Sequence, residues 1–205
     1  MKELIINYFY YILPAIAYVL GSIPFGLIFS KLKGIDPRRY GSGNIGATNI
    51  ARILGKEWGI VTLACDTLKG FFPVLLAIKT GQSSLIVALT GLFAVAGHCY
   101  SIFLFFKGGK GVATALGVFL AICPMAVGIA ALVFAFAVYN TRYVSVGSLA
   151  AVATMPILIF FLKSDSFFEA MSWTICFMIW IRHKDNIARL IKGEEKQISF
   201  GSQGP

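Results

Sequence analysis

Apolar residues run together along this chain in long stretches, separated by short clusters of glycine and charged residues. The stretches cover 4–29, 58–78, 85–106, 112–122, 125–139, 144–162 and 167–181. Most approach or exceed the roughly 18 to 20 residues that carry an α-helix across a bilayer. Drawn with their flanks, the predicted spans are 1–31, 57–79, 84–106, 124–139, 144–163 and 166–182, plus a short fourth helix behind a glycine and lysine loop over 107–122. The intervening 32–56 is a polar loop and 183–205 a polar tail, read as no more than a surface extension beyond Gly193. No internal repeat and no water-soluble domain is evident, so 1–205 reads as one all-α membrane domain.

The region around Cys123-Pro124 needs a decision. One helix over 112–139 would be 28 residues long with a proline in its middle. A turn at Pro124 leaves a first helix of only about 17 Å, against a hydrocarbon core of about 30 Å. Charge decides. With the turn there are seven segments, and Lys31, Lys33, Arg38, Arg39, Arg52, Lys56, Lys107, Lys110, Arg142, Arg182, Lys184, Arg189, Lys192 and Lys196 share one side. Only Lys2, Lys79 and Lys163 fall on the other. The positive-inside rule then predicts the amino terminus outside and the carboxy terminus in the cytoplasm. Ala15-Ile16-Ala17 resembles a signal-peptidase site, but cleavage there would truncate the first apolar run, so the first helix is expected to be retained.

Composition sharpens this picture. Of 205 residues 58% are hydrophobic and only 13% charged, about half the charge that a water-facing domain carries. The net charge of +9 would suggest nucleic acid in a soluble protein; here loop bias explains it, and no nucleic-acid partner is expected. Cys65, Cys99, Cys123 and Cys176 lie in or beside apolar runs without metal spacing, and read as packing residues.

Every loop with unusual chemistry falls on the predicted cytoplasmic side. The first reads Gly41-Ser42-Gly43-Asn44-Ile45-Gly46-Ala47-Thr48-Asn49, with Arg52 just downstream. It matches a dinucleotide fingerprint formally, but without the strand and βαβ unit that motif needs. What remains is glycine backbone with Ser, Asn and Thr donors that can surround an anion, above a helix expected to start near Asn44. The second, Phe106-Lys107-Gly108-Gly109-Lys110-Gly111-Val112-Ala113-Thr114, places two lysines among three glycines at a helix start. It is not a Walker A loop. His98 precedes it, read either as a packing histidine or as part of the site. The third leaves the last span as Arg182-His183-Lys184-Asp185-Asn186-Ile187-Ala188-Arg189; His183, Asn186 and Arg189 share a helix face. Arg142 and Ser148 flank the sixth span. Asp66 and Lys69, three apart inside the second span, form either a mutual ion pair or a substrate contact.

At these residues the chain resembles the bacterial membrane glycerol-3-phosphate acyltransferases that use acyl phosphate as donor, the PlsY family. The likeness is carried by residues 42–49, by Gly97-His98 with 106–114, and by Arg182-His183 with Asn186 and Arg189. It extends to Asp66-Thr67-Leu68-Lys69-Gly70 and to Arg142-Tyr143-Val144-Ser145 with Ser148. Ser101 departs from it, standing where proline is expected. The resemblance implies seven helices, an inner-face site, no cofactor or metal, and a monomer embedded in the lipid bilayer. It implies transfer of a fatty acyl group from acyl phosphate to the 1-hydroxyl of glycerol 3-phosphate, giving lysophosphatidic acid and phosphate.

On that reading Lys110, Ser148, His183 and Asn186 are the expected catalytic residues. Ser42, Asn44, Thr48 and Arg52 share a role at the acceptor, with Lys107, Lys110 and Thr114 nearer the donor and Ser148, His183 and Asn186 closing the pocket. Gly43, Asn49, Gly108, Gly109 and Gly111 are expected to bind phosphate without assignment to either. His98, Arg142 and Arg189 join the phosphate-binding set. No serine–histidine–acid triad or nucleophilic cysteine appears in the motif loops, so the proton goes either to a substrate phosphate or to His183. A transporter of a phosphorylated anion is the alternative on composition, though it would place polar groups near mid-membrane.

Overall fold

The structure, a computed structural model, describes residues 12–198, and helices are the only regular elements among them. The part of the first predicted span before Ile12 and the tail beyond Ile198 lie outside the described residues.

The first span is not one unbroken helix. α1 (Leu13–Ser22) stops and α2 (Phe25–Leu32) begins after Pro24. Proline offers no N–H and disfavours a helical residue before it, and Ile23 is extended. Two carbonyls at the break take side-chain donors from residues distant in the sequence. Ser101 Oγ donates to Ser22 O at 2.6 Å, and Lys69 Nζ donates to Ile23 O at 2.7 Å. Ser101 thus supplies a hydroxyl that proline in its place would not.

α3 (Ala47–Leu54) starts three residues later than Asn44, because Asn44 Oδ1 accepts from Gly46 N and holds a turn there. α4 (Lys56–Lys79) and α5 (Ser84–Cys99) are long apolar helices joined by a tight turn. α6 (Val112–Ile122) is short, ends at Cys123, and α7 (Pro124–Thr141) starts on the proline. Pro124 therefore turns the chain. α8 (Val144–Lys163), α9 (Ser166–Arg182) and α10 (Lys184–Ile191) follow and are the last helices among the described residues. Five stretches, 13–32, 56–79, 84–104, 124–141 and 144–163, are long and apolar enough to cross a bilayer. α6 and the 17-residue α9 are shorter.

α1 packs against α5, α4 against α6, α7 against α8, and α9 against both α5 and α8. Two of these crossings close on glycine: Gly97 rests on the Tyr18 carbonyl and Gly117 on that of Thr67, with no room for a Cβ. Small residues let backbones approach where lipid offers no hydrophobic drive to association. The outer surface is apolar: Leu132, Phe136 and Phe161 are over 70% exposed, as a lipid-facing side requires.

Candidate active site

The polar segments meet at one end of the helices around a cavity of about 400 Å³. In the first loop Asn49, almost fully buried, acts as the organiser. Its Nδ2 reaches the carbonyls of Asn44 (2.7 Å), Pro37 and Tyr40 (both 3.2 Å), while its Oδ1 accepts from Ser42 N at 2.8 Å. Asn49 was expected to bind phosphate; its polar atoms are instead committed to the loop. Gly41 lies directly on Asn49 Oδ1 with φ of 63°, a position closed to a side chain. This loop and the start of α3 line the cavity through Ser42, Asn44, Gly46, Ala47, Thr48, Asn49 and Arg52.

The second loop is tied from outside itself. Gly108 N donates to Cys99 O and Gly109 N to His98 O, at 3.1 and 3.0 Å. Arg182 from the end of α9 holds the same residues by their carbonyls, with Nη2 to Gly108 O at 2.6 Å and Nε to Gly109 O at 3.0 Å. The amides of Gly108 and Gly109 are therefore spent and cannot cradle phosphate as expected. Gly111, with φ of 89°, turns the chain into α6, and Lys110 stands at the cavity wall beside it. Lys107 is exposed and away from the wall, and Thr114 is buried against Gly70 of α4. Gly43 and Arg142 are likewise off the wall; Arg142 lies 6.0 Å from the Tyr139 ring centre.

His183 sits between α9 and α10, with Nδ1 donating to Ile179 O at 2.8 Å. It lines the cavity with Asn186, Ser145 and Ser148; Ser148 Oγ itself donates to Val144 O. The tail is not a mere surface extension. Glu195 folds back so that its carboxylate accepts from Ser145 Oγ, Asn186 Nδ2 and Arg189 Nε, and Arg189 is thereby drawn off the wall. Lys196 donates to Gly41 O at 2.7 Å, Arg52 to Lys196 O at 3.2 Å, and Ile198 N to Arg142 O at 2.9 Å. Residues 195–198 thus strap the first loop, the start of α8 and α10 together. The sequence cue for Glu195 was slight: an acid just past Gly193 on a strongly basic face.

Charge at the site is unbalanced toward the positive. Burial pushes the Lys110 ammonium down to about 8, an effect that Glu195 opposes and Arg189 and Arg52 deepen. Burial, then the charge of Lys110, pushes His183 down to about 4, so the ring is neutral at pH 7 with Nε2 bare. Burial works against the ionised Glu195, yet hydrogen bonds from Asn186, Arg189 and Ser145 prevail and hold its carboxyl below the usual value. Among the described residues no three His, Cys, Asp or Glu side chains gather as metal ligands do.

Away from this polar end the cavity continues as an apolar slot between α6, α7 and α8, through Leu116, Phe119, Val127, Ala130, Val152 and Met155. From Ser148 to Met155 the slot runs seven residues of α8, about 10 Å. A cationic, glycine-bordered pocket that opens into a narrow apolar slot defines a helical membrane protein acting on amphipathic phosphate compounds.

The chain belongs to the glycerol-3-phosphate acyltransferase family, whose description, "Glycerol-3-phosphate acyltransferase", matches residues 11–193. It is 49% identical over 190 residues to the glycerol-3-phosphate acyltransferase of Desulfotalea psychrophila, covering 91% of this chain and 96% of that one. The counterpart from Trichlorobacter lovleyi is 52% identical over 181 residues, covering 88% and 93%. Among solved structures it is similar to PlsY (YgiH), an integral membrane glycerol 3-phosphate acyltransferase, in the glycerol 3-phosphate form: TM-score 0.88, 43% identity, covering 91% of this chain and 94% of that chain. The lysophosphatidic acid form of that enzyme is similar at TM-score 0.85 and 42% identity. The protein is accordingly a multi-pass membrane acyltransferase of glycerol 3-phosphate, in the chemistry of phospholipid synthesis.

Proposed function

We propose that the acyl donor is an acyl phosphate and that the acceptor is the 1-hydroxyl of glycerol 3-phosphate, giving lysophosphatidic acid and inorganic phosphate. The observation that carries this reading is the position of Lys110: a cation at the junction between the polar pocket and the apolar slot, where the acyl–phosphate bond of such a donor comes to lie. Ser42, Asn44, Thr48 and Arg52, which line the same cavity, hold the acceptor's phosphate. The acceptor oxygen attacks the acyl carbon, the bond from that carbon to the phosphate oxygen breaks, and phosphate leaves carrying the electron pair. Lys110 and the first-turn N–H groups of α6, which have no intrahelical partner, stabilise the oxyanion and the departing phosphate. A histidine near pKa 4 is a weak base at pH 7. The hydroxyl proton therefore goes to a phosphate oxygen, while His183 Nε2, Asn186 and Ser148 orient the acceptor.

The seven segments run with the amino terminus outside and the site on the cytoplasmic face of the inner membrane. Loop charge supports that orientation, since the basic residues gather at the site's end. The test is phosphate release by detergent-purified protein given glycerol 3-phosphate and palmitoyl phosphate, with palmitoyl-CoA in parallel. Phosphate equimolar with lysophosphatidic acid, and no reaction with the thioester, is the expected result. Turnover with the thioester alone would overturn the donor assignment.

A further inference from the structure

His98 closes α5 with its ring almost fully buried. On one edge Nδ1 lies 3.7 Å from Asp66 Oδ1, beyond hydrogen-bond distance and with no hydrogen-bond partner of its own, and Asp66 pairs with Lys69 at 2.8 Å. Lys69 in turn donates to Ile23 O, at the break in the first span. On the other edge Nε2 lies against Gly109, so closely that a Cβ on residue 109 would collide with the ring. The peptide of Gly109 is also gripped by His98 O and by Arg182. Residue 110 follows directly. The nearby carboxylate favours a proton on Nδ1, which leaves Nε2 without one where it abuts the loop. A buried ion pair of this kind in a span is costly, and a pair serving only to bury itself would be replaced by apolar residues without loss.

We propose that His98, held by the Asp66–Lys69 pair, is a positioning residue: it fixes the backbone at Gly109 and so sets where Lys110 stands over the reacting phosphate. The proposal rests on the catalytic reading of Lys110 given above. His98 and Asp66 also reach the cavity wall, so the rival role is direct contact with substrate, and the two roles differ in what they do to kcat and KM.

The experiment is a double-mutant cycle in the full-length detergent-purified enzyme, with hydrogen exchange on the loop. His98→Asn is expected to lower kcat by about 10²-fold, the scale of a small misplacement of a reacting group, with KM for both substrates within about threefold. Combined with Lys110→Ala it should cost no more than Lys110→Ala alone, because residues acting as a unit are not additive. Asp66→Asn with Lys69→Met removes both buried charges together and keeps the fold if single changes do not. It should lower kcat less, and His98→Asn on that background should add less than it does alone. Amide exchange at Gly108 and Gly109 should speed up in His98→Asn while the helices stay protected; this readout needs no turnover, so it survives a wrong donor assignment. Full kcat in His98→Asn, additive losses with Lys110→Ala, a raised KM for one substrate at normal kcat, or unchanged exchange at Gly108 and Gly109 would each overturn the proposal.

Discussion

The loops at 41–49 and 107–111 look alike as sequence, both rich in glycine and both placed before a helix, yet they are held in different ways. The first is organised by one side chain of its own helix, Asn49, which gathers three carbonyls and one amide within twelve residues of itself. The second has no internal organiser. Its glycines are tied to carbonyls at the end of α5 and to Arg182, more than seventy residues away. In both, glycine amides are taken up within the protein: Gly43 and Gly46 in the first loop, Gly108 and Gly109 in the second. The polar side chains that face the cavity are Ser42, Asn44 and Arg52 from the first loop and the helix it opens, and Lys110 from the second loop. Each loop also has a tie of the other kind: Lys196 of the tail donates to Gly41 O, and the Gly108 and Gly109 amides reach carbonyls only nine and eleven residues back. What differs is that one side chain of its own helix gathers the first, while the end of α5 and Arg182 clamp the second.

That contrast can be broken experimentally. The largest effect is expected from Lys110→Ala, which removes the charge the second loop exists to present; kcat should fall about 10²- to 10³-fold, as when a stabilising donor is lost from an oxyanion site. Arg182→Ala should approach about 10²-fold in kcat with modest loss of thermal stability, since it frees the loop without touching substrate. Asn49→Ala should act in the opposite sense. It strands buried polar groups at about 1–3 kcal/mol in total, so Tm falls clearly, and activity falls with the folded fraction. Equal Tm losses in the two variants would erase the distinction between the loops.

Smaller effects sharpen it. Glu195→Gln keeps the shape of the strap but weakens its hold on Arg189 and Asn186; a few-fold rise in KM is expected from binding assays, with kcat nearly unchanged. Lys110 also gives a pH signature. Its pKa stands at about 8, below the ordinary 10.5, so kcat/KM should fall as pH rises through about 8, and Lys110→Arg should carry that limb to higher pH. The sign for stability is opposite. The unfolded chain binds the extra proton between about 8 and 10.5, so the fold gains stability from this group as pH rises across that window.

Much of this architecture was legible because membrane spans write themselves in apolar length and loop charge. Pro124 was readable as a turn, since an unbroken helix would have stranded Arg142 and the basic carboxy-terminal segment on the wrong face. Pro24 was not: it sits inside one continuous apolar run, and its break is tolerated only because Lys69 and Ser101 arrive from α4 and beyond α5 to satisfy the freed carbonyls. At the site, Lys110, His183, Asn186, Ser42 and Arg52 could be named from residue type and loop placement, and they do line one cavity. Asn49 looked like a ligand because nothing local says whether an amide faces inward or outward. Glu195 escaped notice for the complementary reason, as its three donors come from α8 and α10 and a short acidic tail has no periodicity to announce a fold-back.

The division between the loops is tested most directly by steady-state kinetics of Lys110→Gln and Ser42→Ala, with each substrate varied in turn. The account predicts that Lys110→Gln lowers kcat steeply and raises KM for palmitoyl phosphate, while Ser42→Ala raises KM for glycerol 3-phosphate alone. If Lys110→Gln instead raises KM only for glycerol 3-phosphate at an unchanged kcat, the two loops have been assigned to the wrong phosphates.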